Sequence, residues 1–109
     1  MKIVYLANNF TGFKILEWLK KQGEQVVALF IHPPEKQKFA EEIIKIANVP
    51  SQNIFYGTEL SQISVLNAIS NLNPDIAISI LFDYLLKKEF INLFPKGAVN
   101  LHPSYLPFN

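Results

Sequence analysis

The sequence contains no cysteine, only four glycines and no long apolar run. Without cysteine the chain can form neither a disulfide nor a thiolate metal site, and we expect no bound metal. Only five apolar residues, 3–7, separate Lys2 from Asn8, which is too short for the core of a signal peptide. No stretch approaches the length that spans a membrane. We therefore expect a cytoplasmic protein with no membrane partner.

The sequence also lacks a surplus of charge of either sign. Ten basic and nine acidic residues give a net charge of +1 at pH 7, whereas nucleic-acid-binding domains usually carry a basic surplus or stripe. We therefore expect no nucleic-acid partner. What is present is a globular composition, half of it apolar, in a chain of 109 residues. This length suits one small domain.

Apolar runs alternate with amphipathic segments along the chain. The pattern predicts strands over residues 2–7, 25–32, 53–57, 75–82 and 98–102, and helices over 11–23, 36–48, 59–72 and 87–94. The third helix is predicted from the repeat of Leu60, Ile63, Leu66 and Ile69. This alternation indicates an α/β fold with a three-layer, mainly parallel sheet and helices on both faces. Ligands of such sheets bind outside the carboxyl ends of the strands, so the residues that follow each strand are the site candidates.

The first two strand ends lack the residues of a dinucleotide site. The loop after the first strand, NNFTG, has one glycine instead of G-x-G-x-x-G, and the second strand ends in His32 instead of an acidic residue. We assign no chemistry to His32. Asn8, Asn9 and Thr11 could bind a phosphate or a sugar hydroxyl at the start of the first helix. From the residues alone, we favour a simple helix cap by Asn9 or Thr11.

The connector after the fourth strand groups apolar side chains around one carboxylate. Its residues are Phe82, Asp83, Tyr84, Leu85 and Leu86. They could form a wall for a flat apolar ligand, with backbone groups fixing its orientation. From the pattern alone, we favour the simpler role of covering the end of the sheet.

The last predicted strand ends in alternating polar residues. Asn100 and His102 project to the same side, whereas Leu101 points the other way into packing and Ser104 extends the polar row. An Asn side chain can donate a hydrogen bond to an oxyanion, and a His can move a proton near neutral pH. The pair suits acyl transfer to an amine, but a hydrogen-bonded turn that contains a His explains it equally well.

The stretch NLHPSYLPFN, residues 100–109, resembles the N-x-H-P-S-x-L-P signature of the folate-dependent formyltransferases. Residues 1–19 resemble the first strand, loop and helix of that family, and residues 74–107 resemble its fourth strand, cofactor loop and catalytic strand. The resemblance covers the whole chain. It implies that residues 1–109 are the amino-terminal part of a formyltransferase catalytic domain with a truncated Rossmann-like fold.

The resemblance also implies a reaction, the transfer of a formyl group from N10-formyltetrahydrofolate to a primary amine. Asn100 would donate a hydrogen bond to the developing oxyanion, and His102 would act as a base toward the amine or support the tetrahedral intermediate. The loop 82–86 would receive the pterin. The candidate contacts to the acceptor are Asn8, Asn9, Thr11, Ser104 and Tyr105.

Within the family, two stretches look closest to the sugar N-formyltransferases, which act on nucleotide-linked amino sugars. They are HPSYLPFN, with Tyr105 and Phe108, and HPPEKQKFAEEI, residues 32–43. The loop NNFTG differs from that of methionyl-tRNA formyltransferase, and the near-neutral charge offers tRNA little. We therefore expect a nucleotide-linked amino sugar as the acceptor, with a methionyl-tRNA formyltransferase-type parent as the second hypothesis. A non-catalytic folate- or nucleotide-binding module and a generic doubly wound interaction domain are also compatible with the pattern.

The chain departs from the family pattern at its carboxyl end. The family's third catalytic residue, an Asp downstream of the Asn100–His102 strand, does not occur before Asn109, nor does the Arg-Gly expected after the motif. We therefore expect an amino-terminal fragment with little or no turnover on its own. We also expect the final strand, which would lack covering neighbours, to favour self-association through the sheet edge.

Overall fold

The computed structural model describes residues 1–101 of the chain. Its strands are β1 (Lys2–Ala7), β2 (Gln25–Ile31), β3 (Ile54–Tyr56), β4 (Ile76–Ile80) and β5 (Ala98–Leu101). The α-helices that alternate with them are α1 (Phe10–Lys21), α2 (Ala40–Ala47), α3 (Ile63–Asn71) and α4 (Lys88–Ile91). Every element predicted from the sequence within this range is present, and most differ from the prediction only at their ends.

The strands form one parallel sheet in the order β3-β2-β1-β4-β5. β1 is central, and its residues from Ile3 to Ala7 are fully buried, as expected for a strand covered on both faces. Because all strands run the same way, their carboxyl ends meet at one edge of the sheet. We refer to this edge as the carboxyl edge.

Helices cover both faces of the sheet. On one face, α1 and α2 bury Leu16 and Ile43 against Tyr5 of β1. On the other face, α3 and α4 bury Ile69 and Phe90 in a cluster that includes Phe30 of β2. The predicted three-layer α/β arrangement is therefore confirmed.

The starts of α2 and α3 lie four residues later than predicted, because hydrogen bonds hold the preceding segments in turns. Before α2, residues Pro34–Lys36 form a 3-10 turn, and the Phe39 N–H donates to the Asn8 carbonyl at 2.9 Å. Before α3, residues Gly57–Glu59 form another 3-10 turn, and the Glu59 carboxylate accepts the Tyr56 N–H at 2.7 Å.

Two predicted positions of apolar side chains are wrong. Ile63, predicted on the repeating apolar row of α3, is 75% exposed, because the helix begins there and buries Val65 and Ile69 instead. Leu101, predicted to point into packing, is 45% exposed. Leu101 lies on the edge strand β5, whose burial pattern is half-buried at Ala98 and exposed from Val99 onward. Within residues 1–101, no helix combines the length and the apolar character needed to cross a bilayer.

Candidate functional site

The carboxyl edge brings together the loops that the sequence singled out. Asn8 follows β1, His32 follows β2, the loop 82–86 follows β4, and Asn100 lies near the end of β5. β1 and β4 are neighbours in the sheet, with Ala7 paired to Ile80. Three further predicted site residues, His102, Ser104 and Tyr105, lie outside the described residues.

The loop after β1 is fixed by its two asparagines. The Gly12 N–H donates to the Asn9 side-chain oxygen at 3.0 Å, so the predicted cap role of Asn9 is confirmed. Asn8 is buried. Its side-chain nitrogen donates to the Lys36 carbonyl at 3.2 Å, and its side-chain oxygen accepts the Lys38 N–H at 3.2 Å. Asn8 thus uses both polar atoms to hold the segment before α2, whereas Thr11 is exposed on the first turn of α1.

Tyr5 and Gly12 set how closely α1 approaches the end of β1. The Tyr5 hydroxyl is buried and donates to the Gly12 carbonyl at 2.6 Å. Burial also raises the pKa of this hydroxyl, because the phenolate would lose its hydration. A Cβ at Gly12 would lie 2.6 Å from the Cβ of Ala7, so only glycine permits this approach without a shift.

The loop 82–86 begins with an unusual backbone conformation. Leu81 has a φ of 51°, a left-handed value that is uncommon for a bulky residue and often marks a functional segment. This turn ends β4 at Ile80, two residues before the predicted end. The Leu81 N–H donates to the Leu101 carbonyl at 2.8 Å, which ties the start of the loop to β5.

The loop side chains divide into an anchored set and an accessible set. Phe82 and Leu86 are buried, and Tyr84 is half-buried. By contrast, Leu85 is 77% exposed and the Asp83 side chain is 81% exposed. Of the five residues predicted to bind a cofactor, Asp83 and Leu85 therefore present the most side-chain surface to a ligand.

His32 is a member of this site that the sequence reasoning missed. It is only 2% exposed, and its ring lies 4.8 Å from the Phe82 ring and 5.2 Å from the Tyr84 ring, measured between centroids. Its Nε2 lies 3.5 Å from the Asp83 backbone nitrogen and 4.0 Å from Asp83 Oδ2. The signal available in the sequence was its position, as the residue that directly follows β2 at the carboxyl edge.

The pKa of His32 lies below its ordinary value of 6.5. Burial is the main cause, because it disfavours the charged ring. The Asp83 carboxylate and a hydrogen bond to the backbone of Lys36 act in the opposite direction, whereas the Lys36 and Lys38 ammonium groups lower the pKa further. His32 is therefore a neutral imidazole at pH 7.

Gly57, just after β3, packs directly against the rings of Tyr84 and Phe82. A Cβ at Gly57 would overlap the Tyr84 ring and would lie 2.9 Å from Phe82 Cζ. The loop after β4 thus reaches past the end of β1 to contact residues that follow β2 and β3. Phe82, Tyr84, His32 and Gly57 form one packed cluster, which we call the loop anchor.

Asn100 lies on the other side of this edge, near the end of β5. It is exposed, and its register partner in β4 is Ser79, so the two side chains face the same side of the sheet. The Ser79 hydroxyl is fully buried and has no hydrogen-bond partner within the described range. An amide at this position can donate to an oxygen of a bound ligand.

The described part of the site offers no preformed metal position. No group of three or more His, Asp or Glu side chains in residues 1–101 is placed to hold a metal ion. The chemistry that these residues can supply is hydrogen bonding from Asn100, apolar contact at Leu85 and a charged contact at Asp83.

The sheet order and the helices on both faces define a Rossmann-like α/β domain. Ligands of such domains bind outside the carboxyl ends of the strands. A sequence model of the formyl transferase family matches residues 1–108, and the chain belongs to this family of one-carbon-group transferases. The predicted family resemblance is confirmed.

Similar proteins include several methionyl-tRNA formyltransferases. The chain is 30% identical to the one from Borreliella afzelii (strain PKo) over 110 residues, which cover 98% of this chain and 35% of the relative. It is also 30% identical to that of Mycoplasma genitalium over 110 residues, with 97% and 35% covered. The chain thus spans about a third of the length of these curated relatives.

A solved structure shares the fold. Glycinamide ribonucleotide transformylase 1 from Symbiobacterium toebii superposes with a TM-score of 0.63 over 98% of this chain and 53% of that chain. The sequence identity is 17%, so this likeness concerns the fold alone.

Proposed function

We propose that this chain forms the amino-terminal part of a catalytic domain that transfers a formyl group from N10-formyltetrahydrofolate to a primary amine. The observation that carries the proposal is the family match over residues 1–108, which includes the Asn100-x-His102 pattern. The fold supports it, because the carboxyl edge holds both Asn100 and the loop 82–86. The cytoplasm stays our prediction for the location.

In this proposal the two polar residues of the last strand act on the reacting groups. The amine nitrogen attacks the formyl carbon and loses a proton, the bond from that carbon to N10 of the folate breaks, and N10 takes up a proton as tetrahydrofolate leaves. Asn100 donates a hydrogen bond to the oxygen that becomes negative. His102 accepts the proton or supports the tetrahedral intermediate. The exposure of the Asn100 side chain is consistent with its role.

The exposed side chains of the loop 82–86 suit a folate ligand. A pterin is flat and has a polar edge, and the loop presents the apolar Leu85 side chain next to the Asp83 carboxylate. Phe82 and Leu86 are buried and would contribute by holding the loop and through their backbone groups. On the acceptor side, the exposed Thr11 hydroxyl is accessible to a ligand, while Asn8 and Asn9 already bond the backbone.

Two acceptors compete in this proposal. The similar proteins named above are methionyl-tRNA formyltransferases, and they favour the amine of methionyl-tRNA. This also weakens our expectation that nucleic acid is not a partner. The nucleotide-linked amino sugar, which we expected from residues 32–43 and 102–109, is the second candidate. The net charge of +1 supports it weakly, because tRNA binding usually draws on a basic surface.

The proposed mechanism also calls for a catalytic carboxylate. The chain spans 35% of the Borreliella relative, and the catalytic Asp that the resemblance places after the Asn100–His102 strand does not occur in residues 103–109. We infer that residues 1–109 bind folate and have little or no turnover by themselves, because the proposed mechanism uses that carboxylate to orient the ring of His102.

A binding experiment tests the folate part of the proposal. Calorimetric titration of the chain with 5-formyltetrahydrofolate should give saturable 1:1 binding that weakens in Leu85→Ala and Asn100→Ala. The matched controls are Trp18→Ala, an exposed apolar side chain on α1, and Asn71→Ala, at the end of α3 and hence at the opposite edge of the sheet. Absence of binding, or equal loss in the controls, would refute the proposal.

A formylation assay separates the acceptors. Methionyl-tRNA and a nucleotide-linked amino sugar are supplied in parallel with N10-formyltetrahydrofolate, and formylated product is measured by mass. We expect at most a trace of product from the 109-residue chain. The acceptor that gives the trace would identify the substrate class, and rapid turnover with either acceptor would contradict the expectation that residues 1–109 react little by themselves.

We also propose that the chain associates with itself through β5. Val99 and Leu101 are 52% and 45% exposed on the same face of this edge strand, and an exposed strand edge with apolar side chains favours pairing with another chain. The low net charge of the chain offers little electrostatic repulsion between copies.

A further inference from the structure

The loop anchor contains a buried imidazole that the proposed reaction does not use. His32 lies at the end of β2, and its Nε2 faces the Asp83 N–H at 3.5 Å. These residues are 51 positions apart in the sequence. The contact is therefore a tertiary connection between the loop after β2 and the loop after β4.

The contact with the Asp83 backbone indicates the tautomer of the ring. The Asp83 N–H donates to Nε2 at 3.5 Å, so Nε2 is the acceptor and carries no proton. In a neutral imidazole the other nitrogen, Nδ1, then carries the proton.

Protonation would reverse the role of Nε2. A charged ring has N–H groups on both sides, so Nε2 could no longer accept the Asp83 N–H. The Asp83 carboxylate, with Oδ2 at 4.0 Å, is then an acceptor close to Nε2. The charged groups that face His32 are Asp83 from the loop, and Lys36 and Lys38 from the segment before α2. The Tyr84 and Phe82 rings enclose the remaining sides.

The geometry points to His32 as a positioning residue for folate binding. In its neutral form it accepts the Asp83 N–H and holds the loop 82–86 in the conformation that receives the ligand. Protonation exchanges this bond for an ion pair with the Asp83 carboxylate and thereby releases the Asp83 backbone from the ring. Folate affinity therefore falls in acid. This inference rests on the proposed function, because it assumes that the loop 82–86 binds the pterin.

Two variants separate the hydrogen bond from the bulk of the ring. His32→Gln keeps a neutral acceptor that cannot titrate, and His32→Leu fills the space without an acceptor. Binding of 5-formyltetrahydrofolate is measured by calorimetry from about pH 8 to about pH 5, the range over which histidine titrates. We expect the affinity of the wild type to fall in acid about fivefold more than the affinity of His32→Gln falls. A factor of this size corresponds to the loss of one neutral hydrogen bond. His32→Leu should bind weakly at every pH.

A second readout follows the loop itself and requires no ligand. The amide chemical shift of Asp83 is recorded by NMR against pH, beside the ring resonances of His32. We expect both to titrate with the same midpoint in the wild type, and the Asp83 shift to lose that transition in His32→Gln. His102 is the second of the two histidines in the chain, and the Asp83 transition must persist in His102→Gln.

The outcomes distinguish the inference from the proposed function. If the wild type binds the ligand but His32→Gln keeps the full pH dependence, His32 is not a positioning residue. The inference is also overturned if the Asp83 amide chemical shift does not change as His32 titrates. If the wild type does not bind at any pH, the proposed function fails and the effect on affinity fails with it, while the Asp83 shift still decides whether His32 holds the loop.

Discussion

At the scale of single residues, two buried hydroxyl groups have opposite environments. The Tyr5 hydroxyl donates to the Gly12 carbonyl at 2.6 Å, whereas Ser79 Oγ is buried without a partner among residues 1–101. A buried polar group is favourable when it is hydrogen-bonded and costly when it is not. The two residues should therefore respond in opposite ways when their hydroxyl groups are removed.

Removing the two hydroxyl groups tests this contrast. We expect Ser79→Ala to raise the free energy of unfolding by about 1 kcal/mol, and Tyr5→Phe to lower it by about 1 kcal/mol. Urea denaturation followed by circular dichroism measures both. A loss of stability in Ser79→Ala would mean that the hydroxyl has a partner, for example a bound water.

The charges around His32 give a second prediction at this scale. The Asp83 carboxylate raises the pKa of His32 and the Lys36 ammonium lowers it. We therefore expect Asp83→Asn to lower the pKa and Lys36→Gln to raise it, because each removes one charge. NMR titration of the His32 ring measures the two shifts. If both variants move the pKa of His32 in the same direction, the substitutions act by changing the burial of the ring and not by removing a charge.

The same depressed pKa links stability to pH. Because the folded pKa of His32 lies below the unfolded value of 6.5, the unfolded chain binds the proton first as the pH falls. The contribution of neutral His32 to the free energy of unfolding is therefore complete above pH 6.5. It is lost as the pH falls from 6.5 through the pKa of His32 in the folded chain. Denaturation of the wild type and of His32→Gln at a series of pH values should show this loss only in the wild type.

At the scale of elements, α1 approaches the end of β1 so closely that no side chain fits between them. A Cβ on Gly12 would meet the Ala7 Cβ at 2.6 Å, and both atoms belong to rigid elements. Alanine favours a helix over glycine by about 1 kcal/mol, but overpacking costs about 1–3 kcal/mol. The contact should therefore outweigh the helix preference.

A double-mutant cycle isolates this contact. We expect Gly12→Ala to destabilise the fold by about 1 kcal/mol and the double variant Ala7→Gly/Gly12→Ala to lose less than the sum of the single variants. Urea denaturation of the four proteins gives the coupling energy. Additive losses would mean that α1 shifts outward at little cost, and that the close approach is not a constraint.

The elements also show why the sequence predicts some features and not others. Periodicity located every strand and helix of the described range, because it depends on neighbours along the chain. It placed the starts of α2 and α3 too early, since Asn8 and Glu59 hold the preceding turns through hydrogen bonds that no periodic pattern contains. His32 was missed for the same reason, because its partner Asp83 comes from a distant loop.

At the scale of the whole molecule, the parallel sheet separates the carboxyl edge, which holds the candidate site, from the outer side of the edge strand β5. All loops of the candidate site lie at the carboxyl ends of the strands, and the central strand β1 is buried from Ile3 to Ala7. Among the strands of residues 1–101, β5 has β4 as its single neighbour. The family resemblance led us to expect an uncovered final strand, but the polar–apolar alternation assigned Leu101 to packing. Alternation along a strand does not reveal which of its faces a helix covers.

The exposed edge of β5 makes self-association the prediction that concerns the molecule as a whole. Two copies related by a two-fold axis would pair their β5 strands antiparallel, and each would cover the apolar side chains of the other. Sedimentation velocity over a series of concentrations should show a dimer that weakens in Val99→Lys and Leu101→Lys, because like charges would then face each other across the axis. Ile63→Lys is the matched control. Ile63 is 75% exposed and begins α3, which follows β3, the strand at the other end of the sheet order from β5. A strict monomer at high concentration, or equal loss of the dimer in Ile63→Lys, would exclude β5 as the interface.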